Sequence, residues 1–293
     1  MTSLPPNLPP DLPPNTLTTS PAIATGTLHR RWASGRNLFE SAMTLLSGTF
    51  LAIVIAPLFA VLFYVIVQGA ARFDSKLFTD LPPGAMMPGG GIANAILGTI
   101  IVVLLGAVLA LPFGILAAVY LSEFSSGPVA RWVRFSTNVL SGVPSIVTGI
   151  FAYGLLVVTT GGFSAFAGGV ALAVLMLPTI VRTTDEALQI VPSDLRWAST
   201  GLGSSNYQTV LKVVLPAALP TIVTGALLAI ARAAGETAPL IFTALNSPFW
   251  PSGLWKPTPS LAVLVYNFAT VPFKNQQQLA WAGSLILVCM VLV

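Results

Sequence analysis

The chain has 293 residues, of which 8% are charged and 55% hydrophobic, and its mean hydropathy is +0.85. Soluble domains carry about 25% charged residues, so water is not the main solvent of this chain. The net charge of +4 sits in short stretches between apolar blocks, where membrane topology rather than nucleic acid accounts for it. Each block is near the roughly 20 residues that a helix needs to cross the hydrocarbon layer. One cysteine, Cys289, leaves no disulfide framework or cysteine metal site within a chain. The lone His29 reads as a solvated tail residue, and no metal is expected.

Residues 1–40 are rich in Pro, Ser, Thr and Asn and predict a disordered cytoplasmic tail, because they bury too little apolar surface to offset ordering entropy. The late cluster His29, Arg30, Arg31 and Arg36, followed by a long apolar block, does not fit a signal peptide. The first span is expected at about 43–67. A loop follows with Pro82, Pro83, Gly84 and a triplet from Gly89 to Gly91, which lacks the Gly-Lys-Ser/Thr ending of a phosphate loop and predicts a flexible connection. The second span, about 93–121, is expected to break near Pro112. A short polar turn leads to a third span at about 138–158 and a fourth at about 167–181. A polar amphipathic segment fills 182–214. The fifth span covers about 217–240, and a loop with Trp250, Trp255 and Pro259 precedes a sixth from about Leu279. That block stops at Val293 without a charged anchor, which fits either a thin or tilted span or a truncated end, and favours the second. The expectation is an all-α polytopic bundle of about six spanning helices occupying 41–293.

Basic residues orient it. With the N-terminus cytoplasmic, Arg30, Arg31, Arg36, Arg131, Arg134, Arg196 and Lys212 lie inside, and Arg72, Lys76, Lys256 and Lys274 lie outside. The excess inside favours this orientation.

The polar segment carries the first functional signal. It reads Trp197-Ala198-Ser199, three residues, Gly203, nine residues, Val213, one residue, Leu215-Pro216. This resembles the EAA loop of binding-protein-dependent ABC importer permeases, about 183–216 here, although Trp197 stands where the family has Glu. Small residues at Ala198 and Ser199 suit close approach to a partner, Gly203 permits a turn, and Leu215-Pro216 suits a helix start. An ordinary amphipathic loop is the bland alternative, but it does not account for the whole spacing.

Three further stretches narrow the resemblance. Leu140-Ser141-Gly142-Val143-Pro144-Ser145-Ile146-Val147 is similar to the third span of phosphate permeases. Pro178 to Thr184, followed by Glu186-Ala187-Leu188, is similar to the end of their fourth. Arg232-Ala233-Ala234-Gly235-Glu236-Thr237-Ala238-Pro239-Leu240 is similar to the fifth span of the PstA-type. The resemblance implies a MetI-like fold and an inner-membrane location. It also implies transport of inorganic phosphate, with partners that are a PstC-type permease, two copies of a PstB-type ATPase and a periplasmic phosphate-binding protein. The ATPase would bind ATP-Mg, so no cofactor and no catalytic residue are expected in this chain. Ala198, Ser199, Gly203, Leu215 and Pro216 would couple to that ATPase.

Residue chemistry bears on the substrate path. Arg232 and Glu236 are four apart in an apolar stretch and share a helical face. A mid-membrane charge costs about 2.5–3.5 kcal/mol, so such residues face a bundle interior or an aqueous path. A guanidinium offers paired donors that match an oxyanion. A purely structural ion pair is the alternative. Arg182 ends the expected fourth span, where it is either a snorkelling residue or, as the resemblance implies, part of the pathway. Asp185 and Glu186 are expected to be solvated loop charges. A PstC-type sister subunit, or a permease for sulfate or molybdate, would use the same loop. A secondary transporter or channel is disfavoured, since no paired broken helices mark the two halves. A membrane enzyme lacks any HExxH, nucleophile elbow or Walker lysine motif.

Overall fold

The structure is a computed structural model that describes residues 35–125 and 127–292. Of the expected tail, 1–40, the residues up to 34 lie outside them, and 35–40 form the start of a helix. The chain divides into two units, one up to Leu58 and one from Phe59. Among the described residues every regular element is helical: α1 Gly35–Ala70, α2 Ala93–Val119, α3 Pro128–Ser141, α4 Ser145–Ala152, α5 Val158–Thr160, α6 Ala165–Ile190, α7 Ser193–Gly201, α8 Asn206–Thr209, α9 Leu215–Ala234, α10 Ala238–Thr243, α11 Leu261–Thr270 and α12 Lys274–Leu292. Wider π-type turns carry α2 on through Tyr120–Phe124, join α4 to α5 through Tyr153–Val157, and join α8 to α9 through Val210–Val214. Among the described residues, four continuous helices are long and apolar enough to cross a membrane: Leu38–Ala70, Ala93–Phe124, Ala165–Ile190 and Asn206–Ala234. The pair Pro128–Ser141 and Ser145–Thr160, bent by 104°, makes a fifth if taken as one span. The 19-residue α12 opens on the polar run Lys274-Asn275-Gln276-Gln277-Gln278.

The core lies where α2 runs along α6, their most extensive pairing, with α9 and α10 closing the sides. Val102, Ala107 and Ala110 of α2 meet Leu172, Met176 and Ile180 of α6 and Ala229 and Ala233 of α9. Glycines allow the approach. A Cβ on Gly169 would lie 2.7 Å from Leu105 Cβ, and one on Gly114 would lie 2.7 Å from Ile180 Cγ2. In a bilayer this close packing, not water exclusion, holds helices together. Gly169→Leu should therefore force α2 and α6 apart at an overpacking cost of about 1–3 kcal/mol, read as a lower yield of monodisperse protein after detergent extraction.

Several expectations are corrected. No break occurs at Pro112. It lies on the exposed face of α2 one turn after exposed Val108, while Ala110 and Gly114 on the opposite face are buried against α6, so the lost hydrogen bond falls outside the clamped face. The third span is not one straight helix: α3 ends at Ser141, capped by Gly142, and Pro144, with φ −57° and ψ 137°, turns the chain before α4. Proline also disfavours the helical region for Val143. The fourth helix does not stop at 181 but runs to Ile190, ending before Pro192. The fifth ends at Ala234, and a non-helical step from Gly235 to Thr237 separates it from α10. Part of the expected loop before the last span is α11, whose Leu261, Leu264 and Phe268 pack with Leu279 and Ile286 of α12 and with Leu77 and Ile92. The glycine triplet is tied down rather than free: Gly91 N–H donates to Leu81 O at 3.0 Å, and Asn275 Nδ2 donates to Gly89 O at 3.1 Å.

Candidate functional site

Helix α6 organises the site. Leu175, Thr179, Arg182 and Glu186 are spaced four, three and four residues apart, so they form one stripe along a helical face. At one station of the stripe, Arg232 comes in from the last turn of α9. It shares a small cavity with Leu175, Met176 and Thr179, and Glu236 closes that cavity from the step after Gly235. The Arg232 Nε to Glu236 Oε1 distance is 3.7 Å. The termination of α9 thus sets the pair's geometry. Arg232 stands at a helix C-terminus, where the backbone dipole favours a cation, and Glu236 is carried on non-helical chain. The Arg232 side chain is 62% exposed and that of Glu236 19%, so the guanidinium remains available to a further anion.

Three residues along α6 from Thr179, about 4.5 Å of helix rise, Arg182 pairs with Glu186, Nε to Oε1 at 3.0 Å, with both side chains mostly exposed. The pair lines a cavity of about 710 Å³ together with Asn138 and Ser141 of α3 and a second ion pair, Arg134 with Asp185. Asp185 is not the solvated loop charge expected. Its side chain is 14% exposed and accepts from both Nε and Nη2 of Arg134 at 3.2 Å, while Arg134 Nη2 also donates to Leu121 O at 3.0 Å. The continuation of α6 past 181 aims Asp185 at α3, which no local pattern announced. Glu186 is exposed, as expected.

The segment after α6 forms a helical bend. Ser199 is buried, and its Oγ lies 2.9 Å from Thr209 Oγ1, joining α7 to α8. Ala198 is exposed. Gly203 has φ +89°, with no atom within 4 Å of the position a Cβ would take. Ser205 and Gln208 then cap α8 reciprocally, and Leu215 and Pro216 open α9. The outward side of the bend is apolar: Leu195, Trp197, Leu202 and Tyr207 are 44%, 69%, 88% and 63% exposed. Among the described residues, no group of three or more His, Cys, Asp or Glu could hold a metal.

Residues 110–293 match the family described as binding-protein-dependent transport system inner membrane component. The phosphate transport system permease protein PstA of Yersinia pestis is 40% identical over 265 residues, covering 89% of this chain and 88% of the relative. The protein of the same name from Xylella fastidiosa (strain Temecula1) is 44% identical over 227 residues, covering 77% and 79%. The chain belongs to this family, in its PstA-type branch. Among solved structures, the inward-facing MetNI methionine ABC transporter superposes with a TM-score of 0.59 at 22% identity, covering 69% of this chain and 89% of that one. That likeness shows the fold, a helical bundle of the MetI-like kind. The permease is accordingly a multi-pass inner-membrane protein.

Proposed function

We propose that this permease conducts inorganic phosphate across the inner membrane, powered by an ATPase partner that grips the bend between α7 and α8. The observation that carries the reading is the α6 stripe with Arg232. Three charged side chains, Arg232, Arg182 and Glu186, are each more than half exposed on one face formed by apolar helices. Facing lipid, an arginine near mid-membrane would cost about 2.5–3.5 kcal/mol. That face is therefore the wall of an aqueous path, completed by a second permease of the PstC type.

The stripe has two stations. At the first, phosphate takes the paired donors of Arg232, which Glu236 holds only loosely at 3.7 Å. The partly buried carboxylate also repels the anion, so binding is weak enough to reverse. The second station is Arg182, with Glu186 as its competing carboxylate. The cavity beside it contains equal numbers of cations and carboxylates, Arg134 and Arg182 against Asp185 and Glu186, so an anion passing through meets no net positive trap.

The N-terminus is cytoplasmic in this reading, as the distribution of basic residues favours, and α7 and α8 lie in the cytoplasm. Two ATPase copies bind and hydrolyse ATP-Mg, one on this bend and one on the sister subunit's. A periplasmic phosphate-binding protein delivers substrate to the loops around 74–88 and 246–274. Nucleotide binding shifts the population of a two-state bundle towards the outward-open form, and hydrolysis resets it.

The test is uptake of labelled phosphate by vesicles containing all four components. Phosphate should be taken up only with ATP and the binding protein present. Unlabelled arsenate should compete and sulfate should not. Equal competition by sulfate would assign the path to another oxyanion.

A further inference from the structure

We propose that Arg196 is a positioning residue of the transport cycle, making α7 one rigid unit with the ends of both α2 and α6. This inference rests on the proposed reading that α7 and α8 receive the ATPase's motion. Arg196 lies in the first half of α7 and uses all three guanidinium nitrogens. Its Nη2 and Nε donate to Glu123 Oε1 and Oε2 at 2.8 and 3.3 Å. Nη2 also donates to Leu188 O at 2.8 Å, and Nη1 to Val191 O at 2.6 Å. Glu123 belongs to the turn that ends α2, 73 residues away in sequence. Leu188 lies in the last turn of α6, and Val191 is the residue that caps it.

The chemistry makes this a junction rather than a surface pair. The Glu123 side chain is only 9% exposed, and it sits at a helix C-terminus, where the dipole disfavours an anion. A buried carboxylate there needs a hydrogen-bonded cation. Arg196 supplies one with paired geometry that lysine cannot reproduce. The other close packing of α7 is against α8 and the turn Val210–Val214. Backbone connects α7 to α6 through Val191 and Pro192, and among the described residues Arg196 supplies the side-chain hydrogen bonds from α7 to the end of α2. Because α2 and α6 are clamped along their length, a push on α7 reaches both as one body.

The test uses the full complex with Cys289→Ser and spin labels at Asp194→Cys on α7 and Phe124→Cys at the end of α2, both exposed positions. The distance between the labels should change by less than about 2 Å between nucleotide-free and ATP-trapped states, the scale of small helix shifts. A change of more than about 5 Å, one helical turn, would overturn the link without any substitution of the pair itself. In parallel, Glu123→Gln and Arg196→Lys should lower the phosphate moved per ATP hydrolysed by about tenfold while hydrolysis continues, and the label distance should become nucleotide-dependent. A merely structural role would lower both activities together at constant ratio, and that result also overturns the proposal. If the unsubstituted complex moves no phosphate, the proposed function fails, and the label distance still decides the link.

Discussion

Arg232→Ala should abolish most phosphate uptake while the permease stays in the membrane with its partners. The side chain is the exposed cation of a cavity on the α6 stripe. Losing a charge-assisted hydrogen bond of about 1.5–3 kcal/mol corresponds to a fall in initial rate of at least about tenfold. Two further variants separate a substrate role from a structural ion pair. Arg232→Lys keeps the charge opposite Glu236 but loses the paired donors, so it should remain impaired. Glu236→Gln removes the competing charge, so phosphate should bind more tightly to the vesicle-reconstituted complex while turnover slows. If Arg232→Ala takes up phosphate normally in cells, Arg232 is no part of the path. If Arg232→Lys is fully active, the arginine serves charge balance alone.

Gly203→Val should leave the protein inserted and stop transport. Space is not the obstacle, since nothing lies within 4 Å of the added Cβ, but φ at +89° is. A β-branched residue in that region of backbone space costs about 1–3 kcal/mol, which lowers the population of the docking-competent bend about five- to 150-fold. Asparagine adopts positive φ far more readily, so Gly203→Asn should retain most activity. Immunoblotting of membranes beside uptake assays reads both outcomes. Full transport by the valine variant would count heavily against a turn that must keep its shape to grip an ATPase, and equal loss in both variants would point to the side chain rather than the backbone.

The two prolines near 112 and 144 show how far the sequence reaches. Both interrupt apolar stretches, and nothing local ranks them. Pro112 survives inside α2 because its neighbours Ala110 and Gly114 are held by α6, whereas Pro144 follows Gly142 at the end of an amphipathic helix and bends the chain by 104°. The same contrast separates Glu186 from Asp185. One residue apart, they point to different neighbours, and only α3 decides that Asp185 is paired and largely covered. Glu123 gave no signal either, since its partner is 73 residues away. The short apolar helix α11 is too brief to announce itself as a span, yet Leu261 and Leu264 are buried between α12 and the α2 entrance.

What the sequence determined by itself was whatever repeats with local period or fixed spacing. The apolar blocks of α1, α2, α6 and α9 announce membrane helices because hydrocarbon demands long uncharged runs. The spacing from Trp197 through Gly203 to Pro216 announces the bend, whereas the Arg232–Glu236 pair expected on one helical face is set instead by the end of α9 at Ala234, with Glu236 on non-helical chain. Tertiary structure alone decided which charges are paired across elements, which prolines bend the chain, and which face of α6 stays open. Those outcomes depend on the distance between segments remote in sequence, and that distance is set by the glycine-permitted approach of α2 to α6.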